Sequence, residues 1–143
     1  MRVGIIDCGA GNIAGLSHAL RDAGADVSTS IPPAEQTCDA LVLPGVGNFA
    51  WCARELEERG HRETVRTWAA AGKPLLGVCV GMQLLFEDSE EAPGAAGLGI
   101  LPGHVRKMRY APRLPHVGWN DVDGRHFYFC HSYSVITELA TQQ

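Results

Sequence analysis

The sequence predicts an α/β fold: a mostly parallel sheet with helices on both faces and antiparallel additions in the second half. Three observations carry this. Short apolar runs recur at residues 3–7, 40–43 and 74–78, each stopped by a glycine-containing turn. Stretches with apolar residues at helical spacing separate them, the signature of βαβ units. After Phe86 the pattern changes to strand-like runs joined by a hairpin signal.

The elements follow in order. Residues 3–7 form a first strand that ends in Asp7-Cys8-Gly9-Ala10-Gly11-Asn12. Ile13, Leu16, Leu20 and Ala23 share one helical face, and Gly24 closes that helix. Residues 26–30 form a weak second strand. Residues 40–43 form a buried strand stopped by Pro44-Gly45-Val46-Gly47, and residues 49–59 and 63–71 read as helices. Residues 74–78 form another buried strand, and a further helix begins over 81–86. The acidic run 87–91 and the Pro/Gly/Ala-rich stretch to Gly97 read as a loop. Residues 104–108, 115–122 and 126–133 read as strands, with Asp123-Gly124 a hairpin turn between the last two. No final helix is evident before Thr141-Gln142-Gln143.

Composition narrows the function. At 143 residues, the chain suggests one domain, long enough to bury a core. A net charge of −4 argues against tracking a phosphate backbone, so no nucleic acid is expected. The cluster Arg106-Lys107-Met108-Arg109 is short and interrupted, and reads as a strand end or loop in solvent. No apolar run reaches membrane-spanning length, and the N-terminus is too quickly polar for a signal peptide. The five cysteines, Cys8, Cys38, Cys52, Cys79 and Cys130, show neither paired spacing nor a ligand cluster with histidine. That pattern suits a reducing cytoplasm and predicts no metal and no cofactor.

Chemistry collects in loops after the C-terminal ends of parallel strands. Three loops qualify. Gly77-Val78-Cys79-Val80-Gly81 runs from an apolar strand through a small-x-nucleophile-x-small turn into a helix. This is the logic of a nucleophile elbow with cysteine as nucleophile. Helix N-termini favour anions and offer backbone N–H groups to them. The bland alternative is a structural cysteine after a core strand; two glycines at the right offsets weigh against it. Leu43-Pro44-Gly45-Val46-Gly47-Asn48 can aim a backbone N–H at a developing oxyanion, or can be a plain turn with Asn48 as N-cap. Gly9-x-Gly11-x-x-Ala14 superficially matches a dinucleotide fingerprint, but Asp26 falls at the start of the second strand rather than its end. A tight turn beside a partner or ligand accounts for it better.

Together these loops resemble those of class I, triad-type glutamine amidotransferases, and more narrowly the glutaminase subunits of imidazole glycerol phosphate synthase in histidine biosynthesis. The residues that carry the resemblance include Asp7-x-Gly9-x-Gly11-Asn12, Leu43-Pro44-Gly45-Val46-Gly47 and the run from Gly72 to Phe86 around Cys79. Gly97-Leu98-Gly99, Pro115-His116-Val117-Gly118-Trp119-Asn120 and Tyr128-Phe129-x-His131-Ser132-Tyr133 complete it, in the family's order. The resemblance implies that Cys79 attacks the side-chain amide of glutamine and forms a thioester. It implies an oxyanion held by Val80 with Gly45 or Val46. It assigns substrate contacts to Gly47, Gln83, His131, Ser132 and Tyr133. It turns Asn12 and Trp119 towards a (β/α)₈ cyclase subunit in a heterodimer, which receives the ammonia.

One part of the family pattern is missing. The triad is completed by His-Pro-Glu, and here the six histidines precede Ala19, Arg62, Val105, Val117, Phe127 and Ser132, never proline. His61-Arg62-Glu63 copies the spacing but precedes the nucleophile and reads as surface. The expectation is a single amidotransferase domain over residues 1–143, short at its C-terminus, with sheet edges and apolar surface exposed. Its glutaminase activity is expected to be small. The alternative is an inactive amidotransferase-like module that still binds its partner.

Overall fold

A computed structural model describes residues 1–9, 11–29 and 38–137. Its first half is the predicted parallel layer. Strands β1 (Arg2–Ile5), β2 (Asp26–Ser28), β3 (Ala40–Leu43) and β4 (Leu75–Gly77) form one sheet in the order β2-β1-β3-β4, every pair parallel. Helix α1 (Ile13–Asp22) lies on one face, where Ile13, Leu16 and Leu20 pack against Val3, Ile5 and Val42. Helices α2 (Phe49–Glu58) and α3 (His61–Ala70) belong to the other face. There Phe49, Cys52, Leu56, Val65 and Trp68 close over Ile6, Leu41 and Leu43. Phe49, Leu56, Leu41 and Leu43 are fully buried. Each such side chain contributes about 1.5–3 kcal/mol of transfer free energy, so this face is the main core.

Local chemistry fixes the helix starts. Asn12 Oδ1 accepts the N–H of Gly15, and Asn48 Oδ1 accepts those of Ala50 and Trp51. These caps satisfy donors that the first helical turn leaves unpaired. The indole N–H of Trp68 donates to the Pro74 carbonyl at 2.9 Å, and the Lys73 ammonium lies 4.3 Å from its ring centre, which ties α3 to the chain entering β4.

The second half is built from smaller pieces. Strands β5 (Asp88–Ser89), β6 (His104–Lys107) and β9 (Tyr133–Ile136) form one sheet, with β5 parallel and β9 antiparallel to β6. Strands β7 (His116–Val122) and β8 (Arg125–His131) form a separate antiparallel hairpin. Its turn residues Asp123 and Gly124 both have positive φ, 53° and 76°, as a tight two-residue hairpin turn requires.

Five expectations change. Strand β4 is not buried: Leu76 is 53% exposed, because β4 is the edge among the described strands and helix α1 covers β1, β2 and β3 instead. The helix after Cys79, α4, spans only Val80–Gln83. Beyond it the carbonyls of Leu84, Leu85 and Phe86 accept the N–H groups of Leu98, Ile100 and Gly99, so the helical ladder is replaced by a tertiary one. The acidic run contains strand β5: Asp88 accepts a hydrogen bond from Arg106 and contacts His104 Nδ1 at 3.0 Å. The strand expected over 126–133 breaks at Ser132 into β8 and β9. Arg62 is also less superficial than expected, since its guanidinium donates to the Gly97 carbonyl and pairs with Glu57. Ser30, at the end of the expected second strand, and residues 141–143 lie outside the described residues.

Candidate active site

Strand order assembles the site. β3 lies between β1 and β4, pairing Val42 with Ile5 and Leu43 with Gly77. The loops that leave these strands therefore start as neighbours at one end of the sheet. Cys79 occupies the N-cap of α4 with φ 56° and ψ −120°. A non-glycine residue held there is strained by about 1–3 kcal/mol, a condition that clusters at functional sites. The strain lifts the exposed Cys79 out of the chain path while Val80 turns inward and is buried.

Close backbone contact explains the motif's glycines. A Cβ on Gly81 would lie 2.0 Å from the Leu43 carbonyl oxygen, and one on Gly45 would lie 2.6 Å from the Gly81 nitrogen. The loops after β3 and β4 thus touch through their main chains, and any side chain at either position would separate them.

The oxyanion donors are adjacent but do not converge. The Val80 N–H already donates to the Gly45 carbonyl at 3.3 Å. A trans peptide points its N–H opposite to its carbonyl, so the Val46 N–H faces away from Val80. The arrangement implied for Val80 with Gly45 or Val46 therefore requires this hydrogen bond to open and the peptide between residues 45 and 46 to turn.

Two cavities meet at Cys79. One, of about 220 Å³, is lined by Cys79 and Val80 together with Gly47, Gln83, His131, Ser132 and Tyr133. All five substrate residues implied by the resemblance thus share a wall with the thiol. Glu91, Pro115 and Cys130 join them, and the sequence reading missed these. Glu91 lies in an acidic run that reads as a loop. In the fold it turns inward, and its Oε2 accepts the Phe49 N–H at the start of α2 at 2.8 Å. His131 Nδ1 lies 2.9 Å from the Tyr133 carbonyl oxygen; a carbonyl only accepts, so Nδ1 carries the hydrogen. The second cavity, of about 210 Å³ and mostly apolar, is lined by Gly11, Asn12, Leu16, Pro44, Gly45, Val46, Val78 and Cys79. Asn12 therefore shares with the thiol a cavity that none of the five substrate residues lines. Trp119 lines neither: it is 71% exposed on the hairpin, edge-on to Tyr128 at 5.6 Å between ring centres. A larger cavity, about 800 Å³, runs along the other face of the hairpin and meets the site only through His131.

The burial of Cys52 pushes its thiol up to about 11, with Cys8 nearby adding to the effect. Among the described residues no group of three or more His, Cys, Asp or Glu side chains could hold a metal ion, and no helix is long and apolar enough to cross a membrane.

An elbow cysteine on a parallel sheet, facing a small polar cavity, defines a nucleophilic α/β site, and the comparisons give it a family. Residues 4–141 match the family model described as Glutamine amidotransferase class-I, and the chain belongs to that family. Within it, the chain is 46% identical to the imidazole glycerol phosphate synthase subunit HisH of Thermus thermophilus, over 93% of this chain and 72% of that one. It is also 46% identical to HisH of Cutibacterium acnes (95% and 72% covered) and 41% identical to HisH of Methanothermobacter thermautotrophicus (92% and 72%). A solved structure described as a crystal structure of glutamine amidotransferase superposes with a TM-score of 0.72 at 23% identity, covering 93% of this chain and 72% of that one, which supports the fold.

Proposed function

We propose that the chain is the glutaminase subunit of an imidazole glycerol phosphate synthase, a cytoplasmic protein that releases ammonia from glutamine for a cyclase subunit. The observation that carries this is Cys79, strained at its elbow and sharing one small cavity with Gly47, Gln83, Glu91, His131, Ser132 and Tyr133. Cys79 Sγ attacks the amide carbon, the C–N bond breaks with proton transfer to the departing nitrogen, and water then cleaves the thioester to glutamate and regenerates the thiol. Glu91 supplies a carboxylate for the substrate's α-ammonium group, and Ser132 and Tyr133 face its amino-acid end. The apolar cavity between Cys79 and Asn12 gives neutral ammonia a route towards the partner, which docks on the side marked by Asn12 and Trp119.

The second reading, a partner-binding module without turnover, is favoured by one observation. Among the described residues, His131 is the one histidine that lines the Cys79 cavity, and its Nδ1 hydrogen is taken by the Tyr133 carbonyl. Loss of a triad member lowers rates by about three or more orders of magnitude. The 143-residue chain mixed with cyclase subunit is therefore expected to be labelled at Cys79 by a glutamine chloroketone, with glutamate production far below that of a complete relative. Turnover near that of the relative would sink the low-activity expectation. Absence of labelling would favour the binding module.

A further inference from the structure

The loop facing Cys79 is held by two other cysteines, Cys8 and Cys52, to which the reaction assigns no step. Three consecutive carbonyls of this loop are each engaged. The Pro44 oxygen accepts the Cys8 thiol at 3.3 Å, the Gly45 oxygen accepts the Val80 N–H at 3.3 Å, and the Val46 oxygen accepts the Cys52 thiol at 3.4 Å. A carbonyl direction fixes its peptide plane, and with it the direction of the next N–H. The two thiols thus set the planes on either side of the one peptide that must turn for Val80 and Val46 to converge. Both cysteines are fully buried, Cys8 behind β1 and Cys52 on the inner face of α2. Buried thiols behave as small apolar groups with a weak donor, so each can fill the core and bond the loop at once. The raised pKa of Cys52 keeps that thiol protonated, and hence a donor, at neutral pH.

We propose that Cys8 and Cys52 are positioning residues for the loop at residues 44–47, whose thiols clamp the Pro44 and Val46 carbonyls and hold the intervening peptide against the elbow. The inference rests on reading this loop as the oxyanion loop of a glutaminase, but its decisive test does not need activity.

The reporter is amide hydrogen exchange at Val80, whose N–H is bonded to the clamped loop, in the full 143-residue chain. Cys8→Val and Cys52→Val keep bulk and remove the donor; Cys8→Ser and Cys52→Ser keep a donor. Expected is exchange at Val80 faster by about threefold to fivefold in the Val variants, the size of one modest hydrogen bond, and within about twofold of the parent in the Ser variants. Exchange at Leu41, bonded to Pro74 in the core, serves as the control and stays unchanged. Cys8→Ala and Cys52→Ala repeat the test should bulk at either site prevent folding. Unchanged exchange at Val80 in the donor-free variants, or Ser variants that match Val, overturns the proposal. Chloroketone kinetics then separate the two readings. The maximal labelling rate at Cys79 is expected to rise in the Val variants, because the unclamped peptide leaves the Val80 N–H more readily, with the half-saturating concentration unchanged. A parent chain that is never labelled sinks the glutaminase reading alone, because Val80 exchange still decides the clamp.

Discussion

Cys79 holds its thiol on a backbone that most residues avoid, with φ 56° and ψ −120°. Glycine tolerates that conformation. Cys79→Gly is therefore expected to raise the melting midpoint by about 3 °C, while abolishing chloroketone labelling; a calorimetric scan and a mass spectrum check both. Gly81→Ala has the opposite character. Its added carbon meets the Leu43 carbonyl, which no rotamer can avoid, and a loss of about 3 kcal/mol is expected in urea titration. Cys52 predicts a pH effect. Its thiol is raised from 9.0 to about 11 by burial. The folded state holds this proton more tightly than the unfolded chain, so the contribution is complete below pH 9.0 and is lost as pH rises towards about 11. Cys52→Val is expected to flatten that part of the alkaline unfolding curve. Cys79 was legible in sequence because nearest neighbours make the elbow. Cys8, Cys52 and Glu91 were not, because their partners lie 36, 6 and 42 residues away and no local pattern marks them.

Elements were legible where one periodicity ruled. The apolar run of β3 and the capped, amphipathic α1 and α2 were visible because the residues that form them also fix their ends. α4 was overextended because its continuation is decided by the loop at 97–100, which takes the carbonyls of residues 84–86. β5 was hidden in an acidic run because its ladder needs Arg106 and His104 from β6. That contact leaves an electrostatic trace. The Arg106 hydrogen bond holds the Asp88 carboxyl below the usual range, with charge from Arg106 and His104 adding to it. The associated stability is present above the ordinary aspartate pKa and is lost as pH falls through the depressed value. Arg106→Gln is expected to return the Asp88 titration towards normal, as read by carbonyl chemical shift; an unmoved titration would rule out the pairing.

Across the whole molecule, buried and bare surfaces are unevenly shared. The α2–α3 face of the sheet is closed, whereas Leu76 on β4 and Val117, Trp119, Phe127 and Tyr128 on the hairpin stand exposed. Apolar edges of this kind promote association. Leu76→Glu is expected to change stability by no more than about 0.5 kcal/mol and to reduce light scattering at high concentration. The expected α/β architecture and the grouping of three loops were legible because strand sequence and parallel pairing determine them. The division of the second half into a three-stranded sheet and a separate hairpin was not, since both use the same alternating pattern.

That separate hairpin affects ligand affinity. β7 and β8 pair only with each other among the described strands, so their ladder can open as one unit without disturbing the parallel sheet. His131 ends β8, and Ser132 and Tyr133 follow it into β9. The cavity at Cys79 therefore has one wall anchored in the core, Ser132 and Tyr133 included, and one wall, at Pro115, Cys130 and His131, that exists only while the hairpin is closed. The apparent affinity of any ligand of this cavity is lowered by the fraction of time it is open, so anything that holds the hairpin shut tightens binding without touching the ligand.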